Sequence, residues 1–397
     1  MNEPPKIRVL FWPGWWYPDR FNSMNGIFIR RHAEAVAPLV DLAVLYVTPD
    51  PGLNNKAIEV VTDWADGWPT IRVYYRLIPP PFRSSKVLNA WRYFRAARQG
   101  IWKLRTIWGD PVLVHLHVNP PWGQIAALKT CFPRLPFLLT EHWTGYQNEG
   151  GYRGFFRKLL TSWVVRHAFA VAPVSHDLQA KMEGHGLKGN FAVIPNAVRT
   201  NLFYPAAAAT SGTNFTFLHV STLIPRKNVA GILRATAVRW RERRDFRLVI
   251  VGDGKDRPSL ERLAKELSLD NGCILFLGQK EETELAAIMR QASCFVLFSD
   301  NENLPCVISE AQASGLPVIA SRVGGIPEQV NEGKGILVEP GDEAGLAKAM
   351  DNMIGGKLQP DREKIRRFAV DNYSFPAVGT SIVRLYQQAL EQRRGRI

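Results

Sequence analysis

The chain is short of several things, and each absence narrows its chemistry. No apolar run approaches the roughly 18–20 residues that a transmembrane helix requires. The opening stretch, MNEPPKIRVLFWPGWWYPD, has no long apolar core behind a basic start, so no secretory signal is expected there. Only four cysteines occur, Cys131, Cys273, Cys294 and Cys306, and they show neither CxxC nor zinc-ligand spacing. They read as small buried hydrophobes in a reducing, cytoplasmic compartment. GxGxxG is missing, which disfavours a dinucleotide cofactor, and the absence of GxxxxGK[ST] removes a P-loop despite Lys255. No repeat of solenoid period is present, and low complexity is confined to Ala206–Ala209. Acidic residues are outnumbered, 36 against 50 Lys and Arg, and the imbalance proves to be local.

What is present is a chain of 397 residues, long enough for two domains with a core each. Its hydrophobic fraction of 46% argues for folded, globular structure rather than disorder. Short β-branched or aromatic runs alternate with helical patterns from end to end. In the first half, strands are expected at Ile7–Trp12, Leu42–Val47, Ile71–Tyr75, Val112–Leu116, Phe137–Thr140, Phe169–Val174 and Phe191–Ile194. Helices are expected at Gly26–Ala37, Lys86–Thr106, Gly154–His167 and His176–Glu183. In the second half, strands are expected at Phe215–Val220, Phe246–Val251, Ile274–Leu277, Cys294–Phe298, Val318–Ser321 and Gly335–Val338. Such alternation predicts an α/β protein with parallel, doubly wound sheets. The Ala-rich stretch Tyr204–Gly212 is the expected linker. Residues 1–205 then form a first domain, 206–374 a second, and a last helix over about 375–397 is expected to pack back on the first.

Charge and aromaticity divide unevenly across that boundary. Residues 1–205 hold 24 Lys/Arg against 13 Asp/Glu, and 11 of the 12 tryptophans; the remainder holds 26 against 23 and only Trp240. Such a half suits a polyanionic or membrane-borne partner. Pro81–Trp108 concentrates the feature, with Arg83, Lys86, Arg92, Arg95, Arg98, Lys103 and Arg105 among Trp91, Tyr93, Phe94, Trp102 and Trp108. It reads either as a basic amphipathic helix on an anionic membrane or as a surface helix whose aromatics pack on its own sheet. A nucleic-acid binder is the other class to weigh, but no helix-turn-helix, RNA-recognition or zinc pattern supports it.

The most informative segment is Ser299–Glu328, SDNENLPCVISEAQASGLPVIASRVGGIPE. It reads as a strand end, an acidic loop, a short helix beginning near Pro305, a glycine at the helix C-terminus and a second strand. In open α/β sheets such loops meet helix N-termini at the carboxyl ends of the strands, where ligands bind. Backbone amides there can take an anion, and Glu302 and Glu310 can take hydroxyl groups. The eight-residue spacing alone is weak, since Glu141 and Glu149 repeat it.

The whole string is specific. Glu302-Asn303-Leu304-Pro305, Cys306, Glu310-Ala311, Ser314-Gly315-Leu316-Pro317-Val318 and Gly324-Gly325-Ile326-Pro327-Glu328 closely resemble the signature of the retaining family 4 glycosyltransferases. That resemblance implies the GT-B fold, two Rossmann-like domains facing across a cleft. It implies transfer of a sugar from a UDP- or GDP-type donor to a glycan or lipid-linked acceptor, with bacterial surface polysaccharide synthesis as the expected setting. Glu310 would hold the ribose hydroxyls and Glu302 those of the sugar. Ser221–Asn228 (STLIPRKN) resembles the family's Gly-Arg-Leu-x-x-x-Lys-Gly element. Lys227 matches the lysine that faces the diphosphate, Thr222 stands where the arginine is usual, Arg226 lies beside the lysine, and Asn228 replaces the glycine.

Further positions follow the resemblance. Gly252 and Gly254 match a Gly-Asp-Gly turn, and Gly278 opens a turn that lies near the base or is simply a βα turn. His142 matches a histidine facing the donor sugar, and His117 a weaker one that is architectural or acceptor-side. Glu141 and Trp143 flank His142, and Glu141 is either a general base or turned away. Gly26 ends the family's glycine-containing loop, in which Trp15, Trp16 and Tyr17 stack on a sugar or pack in the core. Val193–Val198 and Phe203–Pro205 resemble a degenerate Pro-Asn-Gly-Val-Asp element, with Ala197 and Arg199 in place of the glycine and aspartate. No metal and no cofactor are expected, although Asp300-Asn301-Glu302 imitates a DxD pattern. The enzyme alternatives are a GT-B epimerase, for which no flanking acid–base pair is found, and a phosphorylase, for which no pyridoxal-phosphate lysine is found.

Overall fold

A computed structural model describes residues 6–53, 56–78, 85–147, 151–206, 215–331, 333–357 and 360–395. The segment's Pro81 and Arg83, the linker residues 207–212 and Glu149 lie outside them. The chain divides into two units, Met1–Pro195 with Val378–Ile397, and Asn196–Ala377.

The first unit runs β1 (Arg8–Pro13), α1 (Ile27–Val36), β2 (Asp41–Pro49), β3 (Ile58–Asp63), β4 (Thr70–Tyr75), α2 (Ser85–Ile107), β5 (Leu113–His117), α3 (Trp122–Cys131), β6 (Phe137–Glu141), α4 (Phe155–His167), β7 (Val171–Pro173) and α5 (His176–Gly184). Its sheet has the order β3-β4-β2-β1-β5-β6-β7. β1 and β5 are buried along nearly their whole length, as strands covered by helices on both faces must be.

The second unit runs β8 (Phe215–Val220), α6 (Val229–Glu242), β9 (Phe246–Val251), α7 (Arg257–Glu266), β10 (Ile274–Phe276), α8 (Glu282–Gln291), β11 (Cys294–Leu297), α9 (Cys306–Ala313), β12 (Val318–Ser321), α10 (Ile326–Gln329), β13 (Gly335–Val338), α11 (Glu343–Ile354) and α12 (Arg362–Tyr373). Its six strands are all parallel, in the order β10-β9-β8-β11-β12-β13. The last helix, α13 (Phe375–Arg394), carries the chain into the first unit. There the Tyr386 hydroxyl lies 2.6 Å from His115 Nδ1, and a Cβ on Gly379 would sit 2.1 Å from the Ala35 carbonyl oxygen. Only glycine permits that approach.

Four differences from the sequence reading have physical causes. The boundary falls at Pro195/Asn196 rather than 205/206. Val198 donates its amide to Tyr373 and Phe203 is fully buried in the second core, so this stretch belongs to the second unit instead of the first. Phe191–Ile194 is no strand of its own; it forms one bridge, Phe191 to Val171, because β7 ends at Pro173 after three residues. The first sheet is not wholly parallel, since β3 pairs antiparallel with β4 as a half-buried edge. α3 went unread because its apolar residues show no one-sided period.

Candidate active site

In the second sheet the strand order reverses between β8 and β11, so the loops leaving those two strands splay apart and open a crevice at their carboxyl ends. Ser221–Asn228 leaves β8, and the stretch from Phe298 to Pro305 leaves β11. Asp300 donates its amide to the Arg226 carbonyl at 2.8 Å, joining the two loops. Lys227 and Glu302 form an ion pair there, with side chains only 13% and 9% exposed. Asn228 takes φ 45°, and its side chain accepts the Gly231 amide at 3.1 Å to cap α6. Asparagine therefore serves where the family uses glycine, because it tolerates the left-handed region and supplies a cap as well. Thr222 and Arg226 are exposed.

Behind this loop, His219 is fully buried, bonded at 2.9 Å to the Val296 carbonyl and at 2.7 Å to the Ser221 hydroxyl. Burial pulls its pKa down to about 4, opposed by the carbonyl bond and assisted by the Lys227 charge. Gly252 has φ 129°, and a Cβ there would sit 1.8 Å from the Ser221 carbonyl oxygen. Its amide donates to the Gly278 carbonyl at 2.8 Å, so the turns after β9 and β10 support the β8 loop from behind.

α9 begins after Pro305, with Cys306 half-buried at its first position and Glu310 buried. Gly315 follows its end at φ 71°. Gly324 takes φ 52°, and the Gly325 amide donates to the Asn303 carbonyl at 2.7 Å, which ties the glycine pair to the acidic loop. Gln329 donates to Ser309 at 2.7 Å, Gln312 to the Gln329 carbonyl at 2.8 Å, and Asn196 to the Leu304 carbonyl at 2.8 Å. Sequence reasoning missed Gln312 and Gln329. Asn196, from the degenerate Pro-Asn-Gly-Val-Asp element, uses its side chain to fix the Glu302–Pro305 loop.

The first unit has its own reversal, between β1 and β5. His117 ends β5, His142 follows β6, and His32 lies on α1, which Gly26 starts at φ 62°. His32 and His117 are fully buried and His142 is 8% exposed. Burial draws His32 to about 4 and His117 well below the usual range, so both are neutral at pH 7. His32 is a further residue that sequence reading overlooked; its only signal was a histidine on the apolar side of α1.

Glu141 is fully buried. One carboxylate oxygen accepts the amides of His142 and Trp143, each at 2.9 Å; the other accepts the Asn119 amide at 3.0 Å and the Tyr146 hydroxyl at 3.3 Å. Burial raises its pKa to about 7 against the pull of those amides. This carboxylate organises the loops after β5 and β6, and a base role would require breaking those bonds. It also holds a strained neighbour, Val118 at φ 64°, between His117 and Asn119. Trp15 is exposed and donates from its indole to the Asn119 carbonyl at 2.6 Å; Trp16 packs edge-on to Phe28, and Trp143 edge-on to Tyr146. Tyr17 is fully buried and belongs to the core.

Residues 203–370 match the family model described as glycosyl transferases group 1, and residues 28–197 match the glycosyl transferase 4-like domain. Both halves are glycosyltransferase domains of the GT-B fold. The GT-B chain is 28% identical over 249 residues to the uncharacterized glycosyltransferase MJ1178 of Methanocaldococcus jannaschii, covering 62% of this chain and 66% of that one. It is 33% identical over 182 residues to the lipopolysaccharide core biosynthesis glycosyltransferase LpsD of Rhizobium meliloti, covering 45% and 51%. The chain thus spans less than two thirds of the length of these curated relatives. Among solved structures, Anabaena HepE in complex with UDP superposes with a TM-score of 0.73 at 18% identity, covering 96% of this chain and all of that one.

Proposed function

We propose that the GT-B chain is a retaining family 4 hexosyltransferase that uses a UDP- or GDP-sugar and acts in the synthesis of a bacterial surface glycan. The observation that carries this reading is the meeting of Lys227 and Glu302 at the reversal of the second sheet, beside α9 and Glu310. The departing diphosphate gains negative charge, and a preorganised donor aimed at such charge is worth about 2.7–4 kcal/mol. In this reading donor binding turns Lys227 from Glu302 toward the diphosphate, with Arg226 and the amides opening α9 beside it. Glu302 is then left to the sugar hydroxyls and Glu310 to the ribose. His142 bonds the transferred sugar. With that charge carried by Lys227 and amides, no metal is assigned to the chemistry, and turnover is expected to survive EDTA. The relation to LpsD and the UDP held by HepE support a nucleotide sugar and a glycan acceptor. The test is release of nucleoside diphosphate from a panel of UDP- and GDP-sugars; no turnover with any of them refutes the reading.

The acceptor is proposed to be lipid-linked, with the first unit resting on an anionic membrane. No helix among the described residues is long and apolar enough to cross a membrane. Yet α2 exposes Val87, Trp91 and Trp102 beside Lys86, Arg95 and Arg98, and α4 exposes Phe155, Phe156 and Leu159 beside Arg157 and Lys158. Arg92 and Arg105 are committed elsewhere, to the Arg76 carbonyl at 2.7 Å and to Asp110 at 2.7 Å. Each basic residue near an anionic surface is worth about 1 kcal/mol. Changing Lys86, Arg95 and Arg98 together to Gln is therefore expected to release the protein from anionic liposomes. Absence of salt-sensitive binding by the wild type would point to a soluble acceptor.

A further inference from the structure

The histidines of the first unit do more than the glycosyl-transfer reading asks of them. His32, His117 and His142 come from three separate elements, yet each offers a ring nitrogen within 4.8 Å of the other two. His32 Nε2 lies 3.0 Å from the Pro195 carbonyl oxygen, which can only accept, so the proton sits on Nε2 and the lone pair on Nδ1. That Nδ1 is buried and, among the described residues, has no hydrogen-bond partner. Nor, among them, does either ring nitrogen of the fully buried His117. Unpaired polar atoms in such a place are unusual and call for a missing partner. His115 supplies the contrast: equally enclosed, it engages Tyr386 at 2.6 Å and Thr140 at 2.7 Å.

We propose that His32, His117 and His142 form a binding site for a divalent transition cation of the Zn²⁺ type. Three imidazoles with no thiolate and no carboxylate suit Zn²⁺, Co²⁺, Ni²⁺ or Cu²⁺ and do not suit Mg²⁺ or Ca²⁺. Glu141, the chain neighbour of His142, has both oxygens turned to amides and a hydroxyl. Zn–N bonds of about 2.0–2.1 Å set tetrahedral ligand atoms about 3.3 Å apart, so small ring rotations close the set. Phe11 packs 4.6 Å from the His117 ring and Phe28 4.5 Å from that of His142, giving the site an apolar wall. His142, the least buried of the three, marks the side from which an ion enters. No step of glycosyl transfer is assigned to the ion.

The test uses the full chain stripped by chelator and then titrated with ZnCl₂ by calorimetry and with CoCl₂ by visible absorption. One ion per chain, a Co²⁺ spectrum of nitrogen ligation and no competition from excess Mg²⁺ are expected. His117→Phe keeps the volume while removing the ligand, and His142→Gln alters the more exposed position should the first variant fail to fold. Each is expected to weaken Zn²⁺ binding at least tenfold. No saturable binding by the wild type, or binding at undiminished affinity in the folded variants, overturns the proposal. Neither result bears on whether the chain turns over a nucleotide sugar.

Discussion

Replacing Lys227 with alanine should separate the structural role of its ammonium group from the catalytic one proposed for it. In the structure it pairs with Glu302 in a setting where both side chains are mostly buried, 13% and 9% exposed. Removing it leaves that carboxylate without its lysine, and breaking a buried pair from one side costs up to about 3–5 kcal/mol of stability. In the proposed role, removing a cation that would face the departing diphosphate costs about 2.7–4 kcal/mol of transition-state stabilisation, roughly a hundred- to a thousandfold in kcat. The double variant Lys227→Ala/Glu302→Gln distinguishes them. Neutralising Glu302 should recover most of the melting temperature and none of the turnover. The assay is nucleoside diphosphate release at saturating donor, read beside thermal unfolding of the wild type and both variants. A single variant with kcat within threefold of wild type, or a double variant that regains both Tm and kcat, would show that the pair is only structural.

Glu310→Gln should raise the KM for the nucleotide sugar or lower kcat at least tenfold with little change in Tm, since amide and carboxylate have the same shape; unchanged kinetics would remove Glu310 from the donor site. Gly252→Ala should cost about 3 kcal/mol or more in denaturant unfolding, because a Cβ would lie 1.8 Å from the Ser221 carbonyl oxygen at a φ of 129°. His219 should make the protein acid-sensitive. Its pKa is about 4 folded against an ordinary 6.5, so the unfolded chain binds more protons between those values. Stability from this group is complete above pH 6.5 and falls as the pH drops toward 4, by up to about 3 kcal/mol at 1.36 kcal/mol per pH unit. Tm measured from pH 7.5 to 4 should decline less steeply for His219→Gln than for wild type; equal slopes would assign the acid sensitivity elsewhere.

The second unit was the more legible half because its strands are short, mostly apolar runs and several of its turns carry a glycine with a visible task, as Gly252, Gly278, Gly315 and Gly324 do. Phe215–Val220, Phe246–Val251, Val318–Ser321 and Gly335–Val338 form strands over the residues expected. The first unit hid β3, whose IEVVTD pattern is only half-buried, and α3, whose apolar residues lie on no single side. Sequence motifs put forward Lys227, Glu302, Glu310 and the Gly324–Gly325 pair for the proposed donor site, because anion and hydroxyl recognition would restrict residue type at local spacing. Gln312 and Gln329 escaped notice, since a glutamine that bonds a carbonyl across a loop leaves no periodic trace.

Alternation of strand and helix, the mainly parallel pairing that follows from it and the glycosyltransferase signature were determined by the sequence alone, for all of them rest on local periodicity and short-range chemistry. Which distant residues meet was decided by tertiary structure. Lys227 and Glu302 stand 75 positions apart and pair only because β8 and β11 are neighbours at the point where strand order reverses. His32, His117 and His142 converge because β1, β5 and β6 lie side by side and α1 returns over them. Burial did the rest. It set Glu141 to hold two loops, and left His117 enclosed with no hydrogen-bond partner among the described residues, a condition that depends on every surrounding atom and on no single stretch of chain.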